Sequence, residues 1–139
     1  MISVQADVFR LAEVFTISRG SRTEAKVLTV TVSRGGYTGW GECVPYARYG
    51  ESLDSVTAQI EALPAGISRA ELQEALEPGA ARNAVDCALW DLEAKAAGKR
   101  VWEMAGLAAP GPMVTAYTLS LDTPERMQAA AAKNAHRPL

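Results

Sequence analysis

Ile2, Val4, Ala6 and Val8 recur at every second residue, the period of a strand that buries one face. From Glu13 to Glu24 that alternation dissolves into VFTISRGSRT, and the segment from Phe15 to Thr23 reads as an irregular loop. Leu28, Val30 and Val32 then alternate with Thr29, Thr31 and Ser33 as a second strand. Arg34, Gly35 and Gly36 give a tight turn, and YTGWGECV follows as a third strand in which Gly39 and Gly41 flank Trp40. Three strands joined in this way predict an antiparallel meander.

The period changes after the third strand. Ser52 is placed to cap a helix whose Leu53, Val56, Thr57, Ile60 and Leu63 share a face, and Pro64 to Gly66 ends it. Ser68 and Glu71 have the spacing of a capping box ahead of Leu72, Ala75 and Leu76. The longest helix is predicted over Ala80 to Gly98, with Val85, Ala88, Leu89, Leu92 and Ala96 as its buried stripe. The neighbouring stripe, Ala84, Cys87, Asp91 and Ala94, is mostly small, which lets another backbone approach closely. Pro78 and Gly79 break the chain before this helix, and Gly98 suits a left-handed cap after it. A short helical turn, VWEMAG, completes an order of strands first and helices second, the α+β arrangement.

Beyond Pro110 and Pro112 the order changes again. Met113 to Leu121 reads as a strand; Thr123 can cap a further helix, with Pro124 at its first position, Glu125 in its first turn and Met127 to Ala132 continuing it. This is the first half of a βαβ unit, which needs a parallel partner strand. The sequence reaches Arg137, Pro138 and Leu139 where that partner is expected to begin, so the expectation is a piece of a larger protein or a remainder supplied by another chain.

At 139 residues the chain is about the size of one domain. Its net charge of -2, from 14 basic and 16 acidic residues without a long run of either sign, argues against nucleic acid or a membrane surface as partner. Cys43 and Cys87 form no CxxC pair and MISVQADVFRL lacks the character of a leader, so a reduced, cytoplasmic setting is expected.

In a meander, the loop after the first strand and the loop after the third emerge at the same end of the sheet. These loops hold Arg19, Arg22, Tyr46, Arg48 and Tyr49 beside Gly20 and Gly50, a cationic and aromatic set suited to gripping a small anion. For any one arginine, a solvated turn is an equal reading. No metal-ligand spacing, catalytic triad, nucleophile elbow or phosphate loop is present. His136 is the single histidine and reads as a surface residue. Asp86, Asp91 and Glu93 read as structural, Asp91 with Lys95 having the spacing of a helix ion pair. Glu42 and Glu51 are placed either for a site or to brace their own loops, and Trp40, Trp90 and Trp102 read as packing residues.

WGE at the end of the third strand, with AVDCALWDLEAKAAGKRVWEMAG from Ala84 to Gly106, resembles the capping domain of the enolase superfamily, muconate-lactonising subgroup. Within it, ISRGSRTEA at Ile17 to Ala25 and PYARYGES at Pro45 to Ser52 look most like dipeptide epimerases, which interconvert L-Ala-D-Glu and L-Ala-L-Glu. The resemblance implies a capping domain over residues 1–110 and the start of a modified TIM barrel over 111–139, with Met113 to Leu121 its first strand and Pro124 to Ala135 its helix. It implies Mg²⁺ held by acidic side chains of the absent barrel, and catalytic lysines that also lie beyond Leu139. The chain alone is then inactive and contributes no catalytic or metal residue.

The chemistry explains those requirements. A proton alpha to a carboxylate is weakly acidic, so its removal needs a cation on the developing enolate and a base on each face. Carried over to this sequence, the resemblance makes Arg19 the contact to the distal carboxylate of a glutamyl substrate, with Tyr49 and Arg48 in support. Thr118, near the carboxyl end of the expected barrel strand, lines the same site. The partners that the resemblance implies are a dipeptide, the remaining barrel and further copies of the protein as a homo-oligomer. The rival readings are the cap of an N-acylamino-acid racemase, an o-succinylbenzoate synthase or a muconate cycloisomerase, or a binding module without catalysis.

Overall fold

A computed structural model describes residues 1–135. Its elements run β1 (Ile2–Ile17), β2 (Gly20–Arg34), β3 (Tyr37–Cys43), a 3₁₀ turn (Ala47–Tyr49), α1 (Leu53–Glu61), α2 (Arg69–Ala75), α3 (Ala80–Ala97), α4 (Val101–Met104) and α5 (Pro124–Lys133). The strands form one sheet in the order β1-β2-β3, the expected meander. The chain divides into two compact units, Met1–Val8 with Lys26–Ala109, and Phe9–Ala25 with the residues from Pro110 onward. Among the described residues no helix is long and apolar enough to cross a membrane.

The first unit is a sheet packed on helices. β2 and β3 pair antiparallel from Leu28 opposite Cys43 to Arg34 opposite Tyr37, which sets Val30 against Gly41 and Val32 against Gly39 on one face. Leu28, Val30 and Val32 are buried there with Val56 and Ile60 of α1, Leu72 of α2, and Ala84, Val85, Ala88, Leu89 and Leu92 of α3. Each fully buried Val, Leu or Ile contributes about 1.5–3 kcal/mol relative to exposure, so this cluster is what holds the unit together.

α3 receives a backbone at close range, but along Ala84, Ala88 and Leu92 rather than along the expected small stripe, whose Cys87 is exposed. A Cβ at Gly39 would collide with the Ala88 carbonyl oxygen and the Leu92 amide, and one at Gly41 with the Ala84 carbonyl. β3 therefore lies directly on the helix, and its glycines are there for close approach. Ala96 is exposed, against expectation, while Ala94 is buried. The reason is local: Gly39 sits over Ala88 and Leu92, and the last turn of α3 passes beyond that cover.

Both expected serine caps form. Ser52 accepts from the Ser55 amide at 3.1 Å and Ser68 from the Glu71 amide at 3.2 Å, each in a reciprocal box. Gly98 ends α3 with φ +62°, the left-handed value that favours glycine.

Two expectations change in the second unit. The segment from Phe15 to Thr23 is not an irregular loop: β1 continues to Ile17, Ser18 and Arg19 make a two-residue turn, and β2 starts at Gly20 with φ +138°. Alternation reports burial of one strand face, and here neither face is covered; Val14 is 54% and Phe15 37% exposed. β-branched and aromatic residues keep the strand without that signature. Met113 to Leu121 carries no strand ladder. A strand ladder needs a continuous run of backbone bonds to a neighbour, which does not form along this segment, and Met113 is 85% and Val114 69% exposed.

The segment is nevertheless held to β1. The Leu121 amide donates to the Thr16 carbonyl at 2.9 Å, and the Ser120 hydroxyl accepts from the Thr16 amide and donates to the Val14 carbonyl. α5 forms where expected, with Thr123 as its cap and Pro124 at its first position. His136, Arg137, Pro138 and Leu139 lie outside the described residues.

Candidate functional site

The segment from Val44 to Ser52 leaves β3 and enters α1. Its 3₁₀ turn carries Arg48 and Tyr49 side by side, both exposed, Tyr49 at 76%. The turn is closed by bonds from the Tyr49 amide to the Tyr46 carbonyl at 2.9 Å and from the Gly50 amide to the Ala47 carbonyl at 3.0 Å. Gly50 takes φ +76°, which reverses the chain. The rings of Tyr46 and Tyr49 lie 5.7 Å apart at 56°, a tilted aromatic pair.

Glu51 fastens this loop to the core helix. One carboxylate oxygen accepts from the Tyr46 amide at 3.0 Å, and the other from the Ala80 amide in the first turn of α3 at 2.7 Å. Gly79, the N-cap of α3, has no side chain to cap the first-turn amides, and Glu51 accepts from one of them, the Ala80 amide, from a distant part of the chain. Of the two sequence alternatives for Glu51, a brace is what forms. The signal was the glycine at the cap position, which left α3 in need of an acceptor from elsewhere. Nearby, burial and then the charges of Glu51 and Glu42 push the Cys43 thiol up to about 11, which keeps it protonated and unreactive at neutral pH.

Arg19 and Thr118 belong to the second unit. Arg19 is exposed in the turn between β1 and β2, which the hydroxyls of Thr16 and Ser21 fasten at 2.9 Å. Thr118 is exposed in the irregular segment that Ser120 and Leu121 tie to β1 at Val14 and Thr16, shortly before that turn. The structure thus brings Arg48 and Tyr49 together in one unit, and Arg19 and the Thr118 segment to one hairpin in the other. Arg22 is exposed on β2.

The acidic residues of α3 are structural. Asp91 accepts from Lys95 at 2.5 Å and from the Trp40 amide at 2.9 Å, while Lys95 also donates to the Thr38 carbonyl at 3.0 Å. Burial pushes the Asp91 carboxyl up, but the bonds from Lys95 and the Trp40 amide outweigh it, and the group sits below its ordinary value. Glu93 accepts from Arg69 at 2.9 Å, and the Arg69 guanidinium lies 3.6 Å over the Trp90 ring. Asp86 accepts from Gln73 at 3.3 Å. An open cleft of about 590 Å³ lies among Arg69, Gln73, Asp86, Trp90 and Glu93, whose polar groups largely bond one another. Trp90 and Trp102 are partly buried, and Trp40 is exposed rather than packed in the core. Among the described residues no group of three or more His, Cys, Asp or Glu could hold a metal ion, so these residues do not fit a cation site.

Residues 2–106 match the family described as mandelate racemase / muconate lactonizing enzyme, N-terminal domain. The chain is 45% identical over 130 residues to the L-Ala-D/L-Glu epimerase of Escherichia coli K12, covering 91% of this chain and 40% of that enzyme. It superposes with TM-score 0.91 and 56% identity on an enolase family member from Agrobacterium tumefaciens with homology to dipeptide epimerases, solved with sodium and L-Ala-L-Glu. That match covers 99% of this chain and 43% of the other. A dipeptide epimerase from Cytophaga hutchinsonii, complexed with Mg and D-Ala-L-Val, matches with TM-score 0.79 and 29% identity over 95% of this chain and 39% of its own. The chain therefore spans about two-fifths of the length of these relatives.

Proposed function

Because the chain belongs to the mandelate racemase / muconate lactonizing enzyme family, in which residues 2–106 are the N-terminal domain, we propose that it is the substrate-reading cap of a dipeptide epimerase acting on L-Ala-D/L-Glu. The observation that carries this reading is the likeness, over nearly the whole chain, to a protein holding L-Ala-L-Glu. The reaction inverts the carbon alpha to the dipeptide's carboxylate. Proton removal there needs a divalent cation and a base on each face; the described residues hold no group of three or more His, Cys, Asp or Glu for a cation, and on this reading Mg²⁺ and the acid–base groups belong to the barrel portion of the whole protein. The segment from Pro110 onward is the beginning of that barrel.

The chain's own part is recognition. Arg19 donates a forked pair of N–H groups to the distal carboxylate of the glutamyl side chain. Arg48 and Tyr49, exposed on a turn fixed from both sides, supply a second cation and an aromatic face, and Thr118 supplies a hydroxyl. All four are exposed, where a ligand can reach them, which supports this assignment.

The test is alpha-proton exchange. The whole encoded protein with Mg²⁺ is incubated in deuterated water with a dipeptide library, and loss of the alpha-proton signal is followed by NMR. L-Ala-L-Glu and L-Ala-D-Glu are expected to exchange fastest; exchange confined to N-acylated amino acids, or absent throughout, overturns the reading. Arg19→Ala is expected to raise KM for glutamyl dipeptides by about 10–100-fold, the size of a lost charged hydrogen bond. It should leave dipeptides with apolar second residues unaffected.

A further inference from the structure

We infer that Glu51 is a positioning residue for the substrate-reading turn, holding Arg48 and Tyr49 in place by clamping their loop to the first turn of α3; the inference rests on the function proposed above. The geometry is that of a two-handed acceptor. One oxygen of Glu51 holds the Tyr46 amide, where the 3₁₀ turn begins, and the other holds the Ala80 amide, where the core helix begins. Ala81, Ala84 and Val85 of α3 are buried in the core cluster, so that helix end is a fixed reference. Arg48 and Tyr49 are exposed and have no comparable anchor of their own. Their placement is inherited from Tyr46, through the bond between the Tyr49 amide and the Tyr46 carbonyl and through the tilted ring pair. A binding group held in advance does not lose its freedom on meeting the substrate, so the clamp acts on affinity.

A carboxylate is the group this task needs. It accepts on both oxygens at once, whereas an amide side chain would turn an N–H toward one of the two donors. The negative charge also lies at the positive end of α3.

The clamp and the cap can be separated. Gly79 has φ 177°, extended backbone that any residue adopts, and a Cβ there would lie 3.0 Å from the Glu51 oxygen alone among nearby side chains. In the Glu51→Ala background that oxygen is gone, and Gly79→Ser supplies a capping hydroxyl without restoring the hold on Tyr46. The experiment uses the whole encoded protein with Mg²⁺, as wild type, Glu51→Ala, Glu51→Gln and Glu51→Ala/Gly79→Ser. It measures thermal midpoint, amide exchange over residues 44–51, and kcat and KM for L-Ala-L-Glu.

Glu51→Ala is expected to lower the midpoint, to speed exchange over the loop about tenfold, and to raise KM about tenfold with kcat within about twofold. Glu51→Gln should fall between. The double variant should regain the midpoint and keep both the fast exchange and the high KM. Recovery of KM together with the midpoint would show a purely structural brace and overturn the inference, as would a KM indifferent to Glu51→Ala. If Glu51→Ala does not fold, the double variant alone decides. A wild type that turns over no dipeptide removes the function and this role with it, whereas turnover with KM unchanged in the variants removes only the role.

Discussion

The two units are built from similar residues and end in opposite states. In the first, Val30, Val32, Val56 and Leu89 are fully buried between sheet and helices. In the second, Val14, Phe15, Val114 and Tyr117 are exposed, and among the described residues that unit contains no buried side chain. Apolar residues with strand propensity do not make a core by themselves; they need an opposing layer. α3 provides one for β2 and β3. On the function proposed here, the rest of the barrel provides the other.

That contrast can be broken by mutation. The largest effect is expected at Gly41, where the α3 backbone leaves no room for a side chain. Gly41→Val should destabilise the protein by about 4 kcal/mol or more, or prevent folding, because strand and helix must separate. Circular dichroism and chemical denaturation read this out, and a fold that accepts valine there would refute the close contact. Next comes Leu89→Ala, which should cost about 2–5 kcal/mol, against Val114→Ala at about 0.5 kcal/mol or less when residues 1–139 are assayed by themselves. Equal losses would erase the distinction between the units.

The smallest effect sharpens the picture at the edge of the sheet. The Asp91 carboxyl is lowered in the folded state, so its contribution is fully present above the unfolded value near pH 4 and fades as pH falls through the lower folded value. Asp91→Asn should lose about 1 kcal/mol at neutral pH. It should also flatten the acid limb of the stability curve, as read by denaturation at a series of pH values. An unchanged acid limb would dismiss the linkage.

The first unit was readable from sequence because burial writes itself as period. The alternation around Val30 and the helical spacing around Leu89 each mark a covered face, and Ser52 and Ser68 mark helix starts. The stretch from Phe15 to Thr23 was misjudged as a loop for the same reason: with both faces open, no period is selected. Met113 to Leu121 has the composition of a strand, and a ladder depends on a neighbour that composition does not reveal. Of the candidate residues, Arg48 and Tyr49 were locatable from their exposed turn. The hold of Glu51 on Ala80 spans 29 positions and left only one trace, a glycine where a cap belongs.

β3 is a border strand of the sheet, and its outward amides and carbonyls are an open template on which another chain could polymerise. Asp91 occupies the Trp40 amide and Lys95 the Thr38 carbonyl. The ion pair that fastens strand to helix thus also blocks that border, and a protein crowded at high concentration is guarded against fibrillar growth from this side.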